Sequence, residues 1–134
     1  MPNDANKPVV LVVDDESEAR SVIIDFLKDR YECEFFESGD GEEAVGFVSS
    51  KPCDVIILDI KMPRKNGMAV IKEVKSIKPG IDILIVSAWV SGDVAKEAMD
   101  AGATDYAVKP MDLKAINLKF SNILDKRGQK ISKI

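Results

Sequence analysis

The sequence predicts an α/β domain, a parallel sheet wound on both faces by helices, and three observations carry that prediction. Short β-branched runs such as residues 9–13 and 55–58 are apolar throughout, as strands buried on both faces are. Between such runs lie stretches whose apolar residues recur three and four apart. The two patterns alternate five times over short connections, and parallel neighbours need right-handed crossovers that lay helices against the sheet.

Residues 9–13 form the first strand, which stops at Asp14-Asp15. Ser17 is placed as the N-cap of a helix whose apolar positions are Val22, Ile23, Phe26 and Leu27. Residues 32–36 read as the second strand, and 42–49 as a helix with Ala44, Val45 and Val48 inward. Residues 55–58 are a strand buried on both faces that ends at Asp59. The third helix spans 67–78, with Val70, Ile71, Val74 and Ile77 on one side, and Pro79-Gly80 ends it. A fourth strand covers 82–86, a helix with a weaker apolar face covers 93–101, and a fifth strand covers 105–108. Asp112 caps a last helix in which Leu113, Ile116, Phe120, Ile123 and Leu124 repeat at helical spacing. Residues 1–7 and 128–134 carry no pattern and are expected to be flexible ends around a single domain at 8–127.

Composition narrows the chemistry. The 134 residues are 46% hydrophobic, enough for one core. No apolar run approaches the roughly 20 residues of a membrane-spanning helix, and no secretory signal opens the chain, so a cytoplasmic location is expected. A net charge of -4 and the lack of a basic helical stripe argue against direct nucleic-acid binding. Cys33 and Cys53 lie in or beside apolar runs and read as reduced, packed thiols. The chain has no histidine, which removes Ser/His and Cys/His nucleophile pairs, the commonest zinc ligand and any phosphohistidine. Chemistry must rest on carboxylates, lysine and hydroxyls.

In an open doubly wound sheet, ligands bind beyond the C-terminal ends of the strands. The residues there are Asp14-Asp15, Asp59, Ser87 and Lys109. Singly, each has an ordinary reading: acids that open a helix, a turn aspartate, a loop hydroxyl, a solvated lysine. Jointly they supply what phosphoryl transfer needs. Converging carboxylates repel unless a cation sits among them, and Mg²⁺ suits a site with few carboxylates and room for waters and a phosphoryl oxygen. Ca²⁺ would want more ligands. Asp59 is then the candidate nucleophile, Lys109 a point charge for a phosphoryl oxygen, and Ser87 a hydroxyl donor to another.

At these residues the sequence resembles the receiver domains of two-component response regulators. The resemblance runs from about Pro8 to Arg127 and rests on Val13-Asp14-Asp15, on Leu58-Asp59 through Lys61-Met62-Pro63 to Gly67, on Ser87-Ala88, and on Tyr106 to Lys109-Pro110. It implies a CheY-like, flavodoxin-like (βα)5 fold with strand order 2-1-3-4-5. It implies Asp59 as phosphoacceptor, and Mg²⁺ held by Asp14, Asp15 (directly), Asp59 and the Lys61 backbone carbonyl. Lys109 and Ser87 would contact the phosphoryl group, and the Lys109-Pro110 peptide would be cis. Ser87 and Tyr106 would be the switch pair, with the surface of the fourth helix, fifth strand and fifth helix as output face. Lys61, Ala88 and Trp89 would modulate the site. The Trp89 ring either limits water's approach to the aspartyl phosphate or serves as an exposed ring for partner docking.

A flavodoxin-like cofactor carrier would need a Gly/Ser/Thr-rich anion loop after the first strand, where Asp14-Asp15-Glu16-Ser17 stands instead. A haloacid-dehalogenase-type phosphatase places two aspartates one residue apart, which adjacent Asp14-Asp15 does not match. A degenerate receiver used only for protein interaction is disfavoured by the complete set of site residues. The reading is therefore a signalling module rather than an enzyme, catalysing only its own phosphorylation and dephosphorylation. Its partners would be a histidine kinase or histidine phosphotransfer protein as donor, and a downstream protein or fused output domain, with neither nucleic acid nor membrane contacted directly.

Overall fold

The computed structural model describes residues 7–61, 66–88, 91–109 and 112–130. In chain order the elements are β1 (Val9–Val13), α1 (Ser17–Lys28), β2 (Glu34–Ser38), α2 (Gly41–Ser50), β3 (Val55–Leu58), α3 (Gly67–Ile77), β4 (Asp82–Ser87), α4 (Gly92–Ala101), β5 (Asp105–Val108) and α5 (Leu113–Arg127). The strands form one five-stranded sheet in the order β2-β1-β3-β4-β5, and every neighbouring pair is parallel. This is the CheY-like, doubly wound arrangement the sequence implied.

Strand alternation divides the core into two layers. Leu11, Val13, Ile56, Leu58, Ile83 and Ile85 face α2, α3 and α4, where Ala44, Val48, Val70, Ile71, Val74 and Ala98 meet them. Val10, Val12, Val55, Ile57, Leu84 and Val86 face α1 and α5, against Ile23, Leu27, Ile116, Phe120, Ile123 and Leu124. Both faces of β3 are covered, which is why its sequence is apolar without alternation. α4 contributes only Ala95 and Ala98 as buried residues, consistent with its weak apolar face. Val22 and Ile77, expected on inward faces, are instead 45% and 41% exposed, because each lies at the margin of its helix's apolar stripe. Cys53 packs in the α2–α4 layer and Cys33 lies partly buried in the other, so the sheet separates the two cysteines, which form no disulfide.

Two further expectations need correction. The second strand runs Glu34–Ser38, two residues beyond the expected 32–36. Pairing with β1 decides this: Val9 stands opposite Glu34 and Val13 opposite Ser38, so the ladder continues past the apolar Phe35-Phe36 to a polar end. Ser17 is the first helical residue and not the N-cap. Glu16 occupies the cap position in extended conformation without a side-chain cap bond, because the Asp14 Oδ1 accepts from the Glu16 N–H at 2.9 Å and turns the chain one residue earlier. Asp112 does cap α5, accepting from Lys114 and Ala115.

At the opposite end of the sheet from the acidic loops, Arg127 closes α5 against the strands, with Nη2 3.1 Å from Asp54 Oδ1 and Nη1 2.8 Å from Asp82 Oδ2. Gly128 (φ 69) then ends the helix in the left-handed conformation. Among the described residues no helix is long and apolar enough to cross a membrane.

Candidate functional site

Backbone ladders deliver the acids. The Asp14 N–H donates to the Ser38 carbonyl at 3.2 Å, and the Asp59 N–H to the Val13 carbonyl at 3.0 Å, so both aspartates stand just past paired strand ends. The Lys109 N–H donates to the Ser87 carbonyl at 3.0 Å, which brings those two residues side by side. Asp14 is 2% exposed, Asp59 7% and Ser87 fully buried, whereas Asp15 is exposed. Carboxylate oxygens of Asp14, Asp15 and Asp59 all lie within 4.8 Å of one another.

Lys109 answers that concentration of negative charge. Its Nζ is 2.8 Å from Asp14 Oδ2 and 3.1 Å from Asp59 Oδ2, with Glu16 Oε1 at 3.9 Å. Burial pulls the ammonium's pKa down, but hydrogen bonds and charge from Asp14 and Asp59 outweigh it and hold the pKa above the ordinary lysine value. The other oxygen of Asp59, Oδ1, accepts from the Lys61 N–H at 2.9 Å, which sets the plane of the carboxylate.

The loop after Asp59 is held by a close approach. A Cβ on Gly67 would stand 2.3 Å from the Ile60 Cα, so only glycine lets the start of α3 pack on the residue that follows Asp59. The Gly67 N–H donates to the Ile60 carbonyl at 3.3 Å, and Asn66 caps the helix through the Met68 N–H.

All the expected site residues that are described come together here except Tyr106. Ala88 and the Lys61 side chain are exposed at the rim. Tyr106 points outward, 37% exposed, with Lys119 Nζ 5.3 Å from its ring centroid. Trp89 and Pro110, with Met62 and Pro63, lie outside the described residues. Sequence reasoning missed two neighbours: Glu16, whose carboxylate reaches toward Lys109, and Arg20, whose Nη1 donates to the Asp14 carbonyl while Nε donates to Glu37 Oε1 at 2.9 Å. The available signal was their position in the turn and first helical residues directly after Asp14-Asp15.

The donor set is hard oxygen, concentrated and partly buried, which fits a small divalent cation of the Mg²⁺ kind better than a soft metal.

Comparison with known proteins agrees with this geometry. Residues 10–121 match the family described as the response regulator receiver domain. The transcriptional regulatory protein ZraR of Klebsiella oxytoca is 34% identical over 115 residues, which cover 86% of this chain and 26% of that protein. The transcriptional regulatory protein PdtaR of Mycobacterium tuberculosis is 36% identical over 105 residues, 78% of this chain and 50% of that protein. The chain thus spans half or less of these curated relatives. Among solved structures, the chemotaxis protein CheY4 of Vibrio cholerae superposes with a TM-score of 0.80 at 29% identity, covering 88% of this chain and 99% of that one. Fold and acidic site define a phosphorelay module. The chain belongs to the receiver-domain family of two-component response regulators, whose work is signal transduction by phosphorylation-dependent switching.

Proposed function

We propose that Asp59 of this chain accepts a phosphoryl group from a phosphohistidine on a histidine kinase or histidine phosphotransfer protein. The observation that carries this reading is Lys109 Nζ standing between two nearly buried carboxylates, 3.1 Å from Asp59 and 2.8 Å from Asp14, in the crevice at the strand ends. An Asp59 oxygen attacks phosphorus, the bond from phosphorus to the donor imidazole nitrogen breaks, and that nitrogen takes up a proton. The Lys61 N–H keeps the Asp59 carboxylate oriented throughout. Lys109 turns from Asp59 to an oxygen of the arriving group, and the buried Ser87 hydroxyl donates to another. Asp14, Asp15, Asp59 and the Lys61 carbonyl would hold Mg²⁺. When bound, the ion supplies charge neutralisation and a coordination position for phosphoryl oxygen.

Capture of Ser87 by the phosphoryl group opens space behind it, and Tyr106, outward in this structure, rotates in. A phenol ring suits such a switch because its body prefers burial and its hydroxyl prefers water. Met99, Tyr106 and Val108 place exposed apolar surface on α4 and β5, the face read as output together with α5. Lys61, Ala88 and Trp89 modulate phosphoryl lifetime. The module at 8–127 acts as a cytoplasmic signalling element, catalyses only its own phosphorylation and dephosphorylation, and passes its state to a downstream protein or a fused output domain.

Intact mass after incubation with acetyl phosphate tests the chemistry. A Mg²⁺-dependent gain of one phosphoryl group in wild type, absent in Asp59→Asn, is expected. A gain that persists in the variant would remove Asp59 from the role.

A further inference from the structure

Arg20 stands on α1, and its side chain is only 17% exposed. It spans from the helix over the end of β1 to β2, with Nη1 2.5 Å from the Asp14 carbonyl oxygen and Nε 2.9 Å from Glu37 Oε1. The carbonyl it holds belongs to the peptide joining Asp14 to Asp15. Asp14 is secured at every other polar group: its N–H by the Ser38 carbonyl at 3.2 Å, Oδ1 by the Glu16 N–H at 2.9 Å, and Oδ2 by Lys109 at 2.8 Å. Asp15 is exposed, so packing constrains its side chain less than that of the buried Asp14. The direction of its carboxylate follows the peptide plane that precedes it, which is the plane Arg20 grips.

We propose that Arg20 is a positioning residue for metal binding, clamping the Asp14–Asp15 peptide between α1 and Glu37 so that the Asp15 carboxylate is presented toward Asp14 and Asp59. The inference rests on reading these three aspartates as the Mg²⁺ cluster. Two effects of opposite sign compete. A guanidinium beside a cation site repels the cation, so its removal would tighten binding; its removal also frees the peptide, which loosens binding. Glu37 lies against Arg20 and is 49% exposed, so the pair carries little net charge and what remains is screened. Orientation therefore dominates. Partners that orient metal ligands are worth about 10–100-fold in metal affinity. The lower end applies here because water can replace a donor to a carbonyl near the surface.

The test is calorimetric titration of the full chain with MgCl₂ in wild type, Arg20→Ala and Arg20→Lys, paired with the acetyl phosphate phosphorylation rate as a function of Mg²⁺ concentration. In Arg20→Ala the Mg²⁺ dissociation constant is expected to rise about tenfold. The rate at saturating Mg²⁺ stays near wild type, a split that general destabilisation would not produce. Arg20→Lys keeps one donor for the carbonyl and is expected to recover part of the affinity. Unchanged or tighter Mg²⁺ binding in Arg20→Ala overturns the inference while leaving the acidic cluster as the metal site. A wild type that binds no Mg²⁺ overturns the cluster reading and this inference with it.

Discussion

Replacing Lys109 by methionine keeps the unbranched apolar stem and deletes the ammonium between Asp14 and Asp59. At an effective dielectric constant of about 20, the separations of 2.8 and 3.1 Å correspond to gross attractions of about 6 and about 5 kcal/mol. Desolvation of an ammonium only 14% exposed offsets several kcal/mol of that sum. Deletion also exposes the repulsion between carboxylates whose oxygens lie within 4.8 Å, itself about 3 kcal/mol on the same scale. Removing one partner from a buried ionic cluster costs about 3–5 kcal/mol, and the balance here falls in that range. For a domain of this length the expected fall in Tm is on the order of 10–20 °C. The assay is thermal melting by circular dichroism at neutral pH with EDTA, then repeated with excess MgCl₂. Mg²⁺ is expected to restore part of the loss, since a bound cation takes over neutralisation and stabilises by mass action. A variant melting within about 3 °C of wild type in EDTA would refute the reasoning, because the two buried aspartates would then tolerate each other without Lys109.

Gly67→Ala places a methyl 2.3 Å from the Ile60 Cα, a backbone atom that cannot yield like a flexible side chain. A loss of about 1–3 kcal/mol in urea unfolding is expected, with a slower acetyl phosphate reaction because Ile60 adjoins Asp59; wild-type values in both would refute the close approach. Burial raises the Cys53 thiol from 9.0 to about 12, with Lys78 opposing and Asp54 adding to the rise. A folded pKa above the unfolded one means that keeping Cys53 neutral favours folding fully below pH 9 and that this contribution is lost as pH rises from 9 toward 12. Relative to Cys53→Ala, wild type should therefore lose stability above pH 9; parallel curves would contradict the shift. In native protein at pH 8, iodoacetamide should label the partly buried Cys33 and spare Cys53, and mass spectrometry after digestion reads the two sites separately.

Much of this molecule could be read before folding it. β1, β3 and β5 have the bounds expected, and for β1 and β3 the reason is that a strand buried on both faces carries its environment in its own composition. Asp14, Asp15, Asp59, Ser87 and Lys109 were legible as a set because a doubly wound sheet presents its strand ends in one crevice, so position in the chain already implies position in space. Tertiary structure decided what pairing and packing control. The register of β2 followed its partner strand and not its own phenylalanines. The start of α1 followed the Asp14 carboxylate instead of the cap preference of Ser17. The outward Tyr106 depends on what α5 places over its ring. Arg20 looked like any surface arginine, since its partners are a backbone carbonyl and a glutamate seventeen residues away on the neighbouring strand. A local pattern records whether a residue is buried and which helix or strand it favours; which atoms meet across the sheet is determined only when the crossovers bring them together.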